Sequence, residues 1–312
     1  MLHVTNGDAA ADAIRATGIP GEVLPWRDVL HEGPVPAGLG LRELSLVRAG
    51  FIASLGWGEV DEARRGFEER DAALARSADE DEVVLWFEHD LYDQLQLIQL
   101  LDWFAAHPRP RLMLINPAQY LGPSTPDQLR ALFALRMPVT PAHLSAARAA
   151  WEAFRAPDPR AMEAIPAAEL APLPHLASAL RRHLQQFPST RDGLSRSERQ
   201  ALEVLAEGPR TAGELFVASH HDREDPVWLG DSTFYSYLEA LGPLLTVGEG
   251  AEFHRRTVAL TDLGRDVLAG RADRIAAIGI DRWLGGVHLH GRAVPWRWDE
   301  ASARIVMTTW QR

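Results

Sequence analysis

The stretch that most constrains the fold is Val83-Val-Leu-Trp-Phe-Glu-His-Asp-Leu-Tyr-Asp-Gln-Leu-Gln-Leu-Ile-Gln-Leu-Leu-Asp-Trp-Phe104, where an apolar run meets a polar burst and then turns amphipathic. Residues 83–87 are unbroken β-branched, aliphatic or aromatic, as a strand buried on both faces of a parallel sheet requires. From Leu91 the apolar positions Leu91, Leu95, Ile98, Leu101 and Phe104 recur every three or four residues, so the period has become helical. Asp90 is placed as the N-cap, with Asp93 three residues on in the manner of a capping box. Glu88, His89 and Asp90 then stand at the carboxyl end of a strand, where open α/β sheets bind ligands.

Three more short apolar segments have strand character. Residues 2–5 lead through Asn6-Gly7 to a helix expected to be capped by Asp8; residues 21–26 close on Arg27-Asp28 and His31-Glu32; residues 111–115 close on Asn116. Helical stretches at about 41–55 and 61–77 make a long insertion before the central strand, which suggests a lid over the strand ends. Strands interleaved with helices predict a doubly wound, Rossmann-like parallel sheet over residues 1–123. Residues 124–189, helical in pattern and cut by Pro138, Pro141, Pro157, Pro159, Pro166, Pro172 and Pro174, read as a helical connector. In residues 190–312, capping boxes begin at Ser195 and Thr211 and a third helix begins at Asp231. A hairpin over about 244–260 completes a winged-helix-like α+β domain. A tail follows, with a helix over 261–277 and strands at 287–290 and 296–298.

Composition narrows the chemistry. With 312 residues and 46% hydrophobic content the chain can build two cores. It contains no cysteine and no lysine, which removes disulfides, thiolate zinc sites, Schiff-base chemistry and the P-loop lysine. No apolar run approaches the roughly 20 residues of a membrane span and no basic leader opens the chain, so a cytoplasmic protein without a membrane partner is expected. A net charge of −11 disfavours nucleic acid as a partner, because non-specific binding depends on neutralising phosphates. The expected recognition helix, residues 232–241, has no arginine and carries Glu239, leaving Arg255 and Arg256 on the wing to meet a backbone.

His3-Val-Thr-Asn-Gly-Asp8, Trp26-Arg-Asp28 with Glu32-Gly-Pro34, and Trp86-Phe-Glu-His-Asp-Leu-Tyr-Asp-Gln94 together resemble the bacterial family catalogued as domain of unknown function 1835. Arg282-Trp-Leu-Gly-Gly-Val-His288 and Trp296-Arg-Trp-Asp299 are similar to the tail that often accompanies it. The resemblance implies that these motifs belong together, and it transfers no activity.

The expected site collects Asn6, Asp8, Asp28, His31, Glu32, Glu88, His89, Asp90 and Asn116. Glu88, His89 and Asp28 are the candidate catalytic groups, with His89 or Glu88 as general base. Asn6, Asp8, His31, Glu32, Asp90 and Asn116 are candidate ligand contacts. Plainer roles compete: Asp8 and Asp90 as helix caps, Asn6 as a turn residue, Asp28 and Glu32 in pairs with Arg27 or Arg42, and Tyr92 as packing. Acidic helix starts without a glycine fingerprint argue against a dinucleotide bound in the usual way. They suit a ribose hydroxyl, an amine or a divalent cation, with magnesium or manganese favoured by a carboxylate-rich set. Two functions are therefore expected. One is a small-ligand-binding or metal-assisted enzyme acting on a phosphorylated or nucleotide-like substrate; the other is a ligand-responsive winged-helix regulator or interaction module. Elsewhere, His220-His221-Asp222 reads as a solvated loop, His288 and His290 share a strand face without closing a metal site, and Trp283, Trp296 and Trp298 read as a satellite core.

Overall fold

The computed structural model describes residues 1–308, which divide into two compact units: Met1–Ala179 with Gly285–Val287, and Leu180–Leu284 with His288 onward. The helical stretch after residue 123 lies in the first unit as far as Ala179, and its last residues, 180–189, fall in the second.

The first unit is built on a five-stranded, mostly parallel sheet. Its strands are β1 (Leu2–Thr5), β2 (Glu22–Pro25), β3 (Val83–Trp86), β4 (Leu112–Ile115) and β5 (Met137–Pro138), in the order β2-β1-β3-β4-β5. β1 and β3 are buried along their whole length, which explains the unbroken apolar run of β3; in β1 the buried His3 is accommodated by accepting from the Trp86 indole at 3.1 Å. Only β5 runs antiparallel, pairing Met137 with Leu114. Its two residues, one of them proline, lie at the sheet edge, where a missing N–H is tolerated; they interrupt a segment whose pattern is otherwise helical.

Six helices of this unit matter to the site. They are α1 (Asp8–Ala16), α2 (Leu41–Ser54), α3 (Val60–Arg76), α4 (Leu91–Ala106), α5 (Pro126–Ala134) and α6 (Pro141–Phe154). Thr125 and Thr140 cap α5 and α6 through capping boxes, each with proline at the first helical position. α1 differs from expectation, since Gly7 is its N-cap and Asp8 is the first helical residue. α4 is buried on nearly every side, including Asp93, Gln94, Gln96 and Gln99. A helix in that position must find partners for its buried polar side chains internally, and each of three glutamines does so through one amide atom, while Gln94 Oε1 and Gln96 Oε1 are buried without a hydrogen bond. Gln94 Nε2 donates to the Glu88 carbonyl at 2.5 Å, Gln96 Nε2 donates to the Asp28 carbonyl at 2.7 Å, and Gln99 Oε1 accepts from the Trp26 indole at 2.8 Å. The central helix therefore fixes the backbone beyond two different strands.

The insertion α2–α3 is anchored rather than free. Arg48 of α2, fully buried, pairs with Asp28 and donates to the carbonyls of Glu32 and Val29. Arg70 of α3 lies 3.8 Å from the centre of the Trp26 ring.

The second unit contains α7 (Arg196–Ala206), β6 (Arg210–Thr211), α8 (Ala212–Phe216), α9 (Asp231–Ala240), β7 (Leu245–Val247), β8 (Thr257–Leu260) and α10 (Asp262–Leu268). Ser195 and Thr211 cap α7 and α8 by reciprocal boxes with Glu198 and Glu214. β8 pairs antiparallel with both β6 and β7, and Leu202, Leu205, Leu215, Phe234, Leu238 and Val258 share one core. The expected long tail helix is broken: α10 ends at Leu268 and α11 (Arg274–Ile278) restarts it, with Gly270 at φ +73° between them. β9 (Ile280–Gly285) and β10 (Val287–Gly291) are neighbouring strands, and β11 (Trp296–Asp299) pairs antiparallel with β12 (Arg304–Met307). Of the tail tryptophans Trp298 is buried, whereas Trp283 and Trp296 are half-buried. His220 corrects another expectation. It is buried, with Phe216 and Phe234 rings beside it, while His221 and Asp222 are exposed.

No helix among the described residues is long and apolar enough to cross a membrane.

Candidate functional site

Register brings the strand ends together. Thr5 pairs with Pro25 and with Trp86, and Trp86 pairs with Ile115, so four parallel strands finish level. The next residues of the β1, β3 and β4 chains, Asn6, Phe87 and Asn116, open the loops along one carboxyl edge. Glu88 is held there through its main chain. Its N–H donates to Asp93 Oδ1 at 2.7 Å, and its carbonyl accepts from Gln94 at 2.5 Å and from Asn116 Nδ2 at 3.2 Å. Asn116 Nδ2 also reaches the Phe87 carbonyl at 2.7 Å.

Asp90 caps α4 as expected, accepting from the Asp93 N–H at 2.9 Å. Asp93 does not complete a capping box. Its carboxylate turns instead to the Glu88 N–H and to Asn6 Nδ2, the latter at 2.7 Å. The consequence is a cluster: Glu88, Asp90 and Asp93 are all buried, and one carboxylate oxygen of each lies within 4.8 Å of the others. The neighbouring Arg27 and Arg48 pair with Asp8 and Asp28 instead, and among the described residues no arginine pairs with any of the three.

Electrostatics follow from this arrangement. Burial pushes Glu88 up to about 7 against the opposing hydrogen bond from the Leu121 N–H, with Asp90 adding repulsion. Burial also raises Asp90, to about 6, although hydrogen bonds from Asp93 oppose the shift. Asp93 is raised well above the ordinary carboxyl range, first by burial and then by Asp90 and Glu88. Near neutrality these groups hold protons that isolated carboxylates would have lost. Glu88 also accepts from the Leu121 N–H at 2.6 Å, so the loop after β4 closes on the same carboxylate.

Imidazole groups flank the cluster in sequence and space. His89 is half-buried, with the Tyr120 ring 5.1 Å and the His175 ring 5.9 Å from its own. His175 Nε2 lies 3.3 Å from the Asn116 carbonyl, which can only accept, so Nε2 carries the proton. His31 is buried with its ring edge-on to Tyr92 at 6.0 Å, and Tyr92 donates to the Asn6 carbonyl at 3.3 Å. Burial raises the Tyr92 hydroxyl above its ordinary value, keeping it a donor at neutral pH.

The remaining expected residues have other engagements. Asp28 is buried against Arg48, with its Oδ1 2.8 Å from Nη2 and 2.9 Å from Nε. It lies outside the three-carboxylate group, and its counter-ion is neither Arg27 nor Arg42. Glu32 is buried and gives its carbonyl to Arg48 at 2.7 Å. Asp8 is exposed and pairs with Arg27, which holds its carboxyl below the usual range. The structure thus groups Asn6, Glu88, Asp90 and Asn116 closely, places His89 next in the chain, and ties Asp8, Asp28 and Glu32 into arginine contacts. Asp93, Gln94, Tyr120 and His175 join the site without having been read as site residues. Three glutamines, Gln94, Gln96 and Gln99, interspersed with leucines and isoleucine on one helix, were the legible signal for Gln94.

No family model matches the sequence, and no curated protein is significantly similar to it.

Proposed function

We propose that the first unit is a metal-assisted enzyme that binds magnesium or manganese through Glu88, Asp90 and Asp93 and acts on a small phosphorylated or nucleotide-like substrate at the strand ends. One observation carries this reading: three buried carboxylates converge within 4.8 Å, and among the described residues no arginine is paired with them. Burying such groups is unfavourable unless they protonate or meet a cation. An all-oxygen set suits a hard divalent ion that keeps several waters and bridges to phosphate oxygens.

Within that reading the chain's own residues have distinct roles. Asn6 orients Asp93, while the Glu88 backbone is locked by Asn116 and Gln94. His89, beside Glu88 and half-buried, is the candidate general base, with Tyr120 and His175 packed around it. A cation at the carboxylates would polarise a phosphoryl oxygen. We further infer a Rossmann-like domain, supported by the level strand ends and the order β2-β1-β3-β4. We also infer membership of the domain of unknown function 1835 family, supported by motifs that begin or end at these strands, and a cytoplasmic location. The test is thermal shift with a panel of nucleotides and phosphate esters, each with and without manganese. Stabilisation by a phosphorylated compound that requires manganese, and is lost in Glu88→Gln, is expected. Equal shifts without manganese would remove the metal from the reaction.

The second reading, a ligand-responsive winged-helix regulator, is favoured by the three helices and the β6–β8 sheet of the second unit. It is opposed by the absence of arginine from α9 and by the ion pairing of wing Arg255 with Glu252 at 2.8 Å. Nucleic acid therefore ranks below a small ligand as the proposed partner.

A further inference from the structure

A different set of side chains in the second unit has ligand geometry of its own. Asp281 and Trp283 alternate along β9, and His288 and His290 alternate along β10, so each pair shares a face of its strand. Asp281 stands between the two imidazoles: its Oδ1 is 2.7 Å from His288 Nε2 and its Oδ2 is 3.4 Å from His290 Nδ1. One donor atom from each of the three lies within 4.8 Å of the others, and all three residues are exposed. The His288 ring is stacked on Trp283, with centroids 4.4 Å apart and planes 2° from parallel, so its orientation is fixed before any ligand arrives. The His290 ring centroid lies 5.5 Å from that of His288.

We propose that Asp281, His288 and His290 form a zinc-class transition-metal site, open to water and separate from the carboxylate cluster of the first unit. Metal–ligand bonds of 2.0–2.1 Å in a tetrahedral shell put neighbouring donors about 3.3 Å apart. The observed 2.7 and 3.4 Å, measured to the two oxygens of Asp281, bracket that spacing. Two imidazoles and one carboxylate with an open position are a donor set for zinc, or for cobalt or nickel in its place, and not for magnesium, which takes oxygen ligands. Two histidines alone do not close a site, and the sequence showed only those two. The third ligand comes from the neighbouring strand, seven residues before His288, and becomes visible only when β9 and β10 lie side by side. Trp283, against one ligand, provides a built-in reporter.

The experiment is calorimetric titration of zinc chloride into the full chain in excess magnesium chloride, which occupies hard-oxygen sites. Wild type should bind zinc, with one equivalent at this site. In His290→Ala, and separately in Asp281→Asn, that equivalent should weaken by about tenfold or more. The metal-free melting temperatures should stay unchanged, because both residues are exposed. Zinc should also alter tryptophan emission in wild type, and Trp283→Phe should remove most of that change while retaining zinc binding. Absence of zinc binding by wild type, or isotherms in both variants that match it, would overturn the proposal.

Discussion

Replacing Glu88 with glutamine should change the pH dependence of stability in a direction opposite to that of an ordinary salt-bridged carboxylate. The folded protein holds the Glu88 proton up to about pH 7, against an ordinary value of 4.5. Between these limits the native state binds more protons than the unfolded chain, so stability from this group is fully present below about pH 4.5 and is lost as pH rises through about 7. A shift from 4.5 to about 7 at about 1.4 kcal/mol per unit is worth about 3 kcal/mol. Glutamine keeps an acceptor for the Leu121 N–H and cannot ionise, so the variant lacks this slope. For a unit of this size, 3 kcal/mol corresponds to about 6–12 °C in melting temperature. The assay is thermal and urea unfolding of both proteins from pH 4.5 to 8 with a chelator present. The difference, variant minus wild type, should grow with pH by about 3 kcal/mol, and saturating manganese should shrink it by stabilising ionised Glu88 in wild type. Parallel pH profiles in chelator would refute the assignment of a buried, protonated Glu88.

Other perturbations test the scaffold. Arg48→Ala, which leaves Asp28 buried without its partner, should destabilise the first unit by about 3–5 kcal/mol in urea denaturation. Gly33→Ala should also lower the melting temperature, because Gly33 has φ +79° and an added Cβ would meet the Phe51 ring of α2 at 2.4 Å; a cost of about 2–4 kcal/mol is expected. The full chain should show no DNA affinity tighter than about 10⁻⁶ M at physiological salt, measured by anisotropy on pooled duplexes. Nanomolar binding with a steep salt dependence, weakened in Arg255→Ala and Arg256→Ala, would favour the regulator.

Much of the sheet was legible because local pattern and final burial agree. The apolar run at 83–87 supplied β3 from its first four residues, and the polar burst after it reached the carboxyl edge. Asp90 was legible as a cap because capping is decided within four residues. Asp93 was misread for the same reason. An acidic residue at that position can turn back to the cap or reach the Glu88 N–H, and the choice depends on Asn6 from another strand. The partner of Asp28 lay 20 residues away inside an insertion whose pattern suggested only a lid. β5 was hidden because a two-residue edge strand containing proline carries almost no periodic signal. His220 sits among charged neighbours in sequence, yet a π-helical turn rolls it beneath Phe216 and Phe234.

The central claim, that Glu88, Asp90 and Asp93 hold a divalent cation, is tested most directly by counting the protons that manganese displaces. Calorimetric titrations at pH 6.5 in buffers of different ionisation enthalpy give both the binding constant and the number of protons released. With Glu88 raised to about 7, Asp90 to about 6 and Asp93 higher still than an ordinary carboxyl, release of about one to two protons per manganese is expected. Glu88→Gln and Asp93→Asn should each reduce both the release and the affinity. Absence of manganese binding, or binding without proton release that neither substitution alters, would contradict the account.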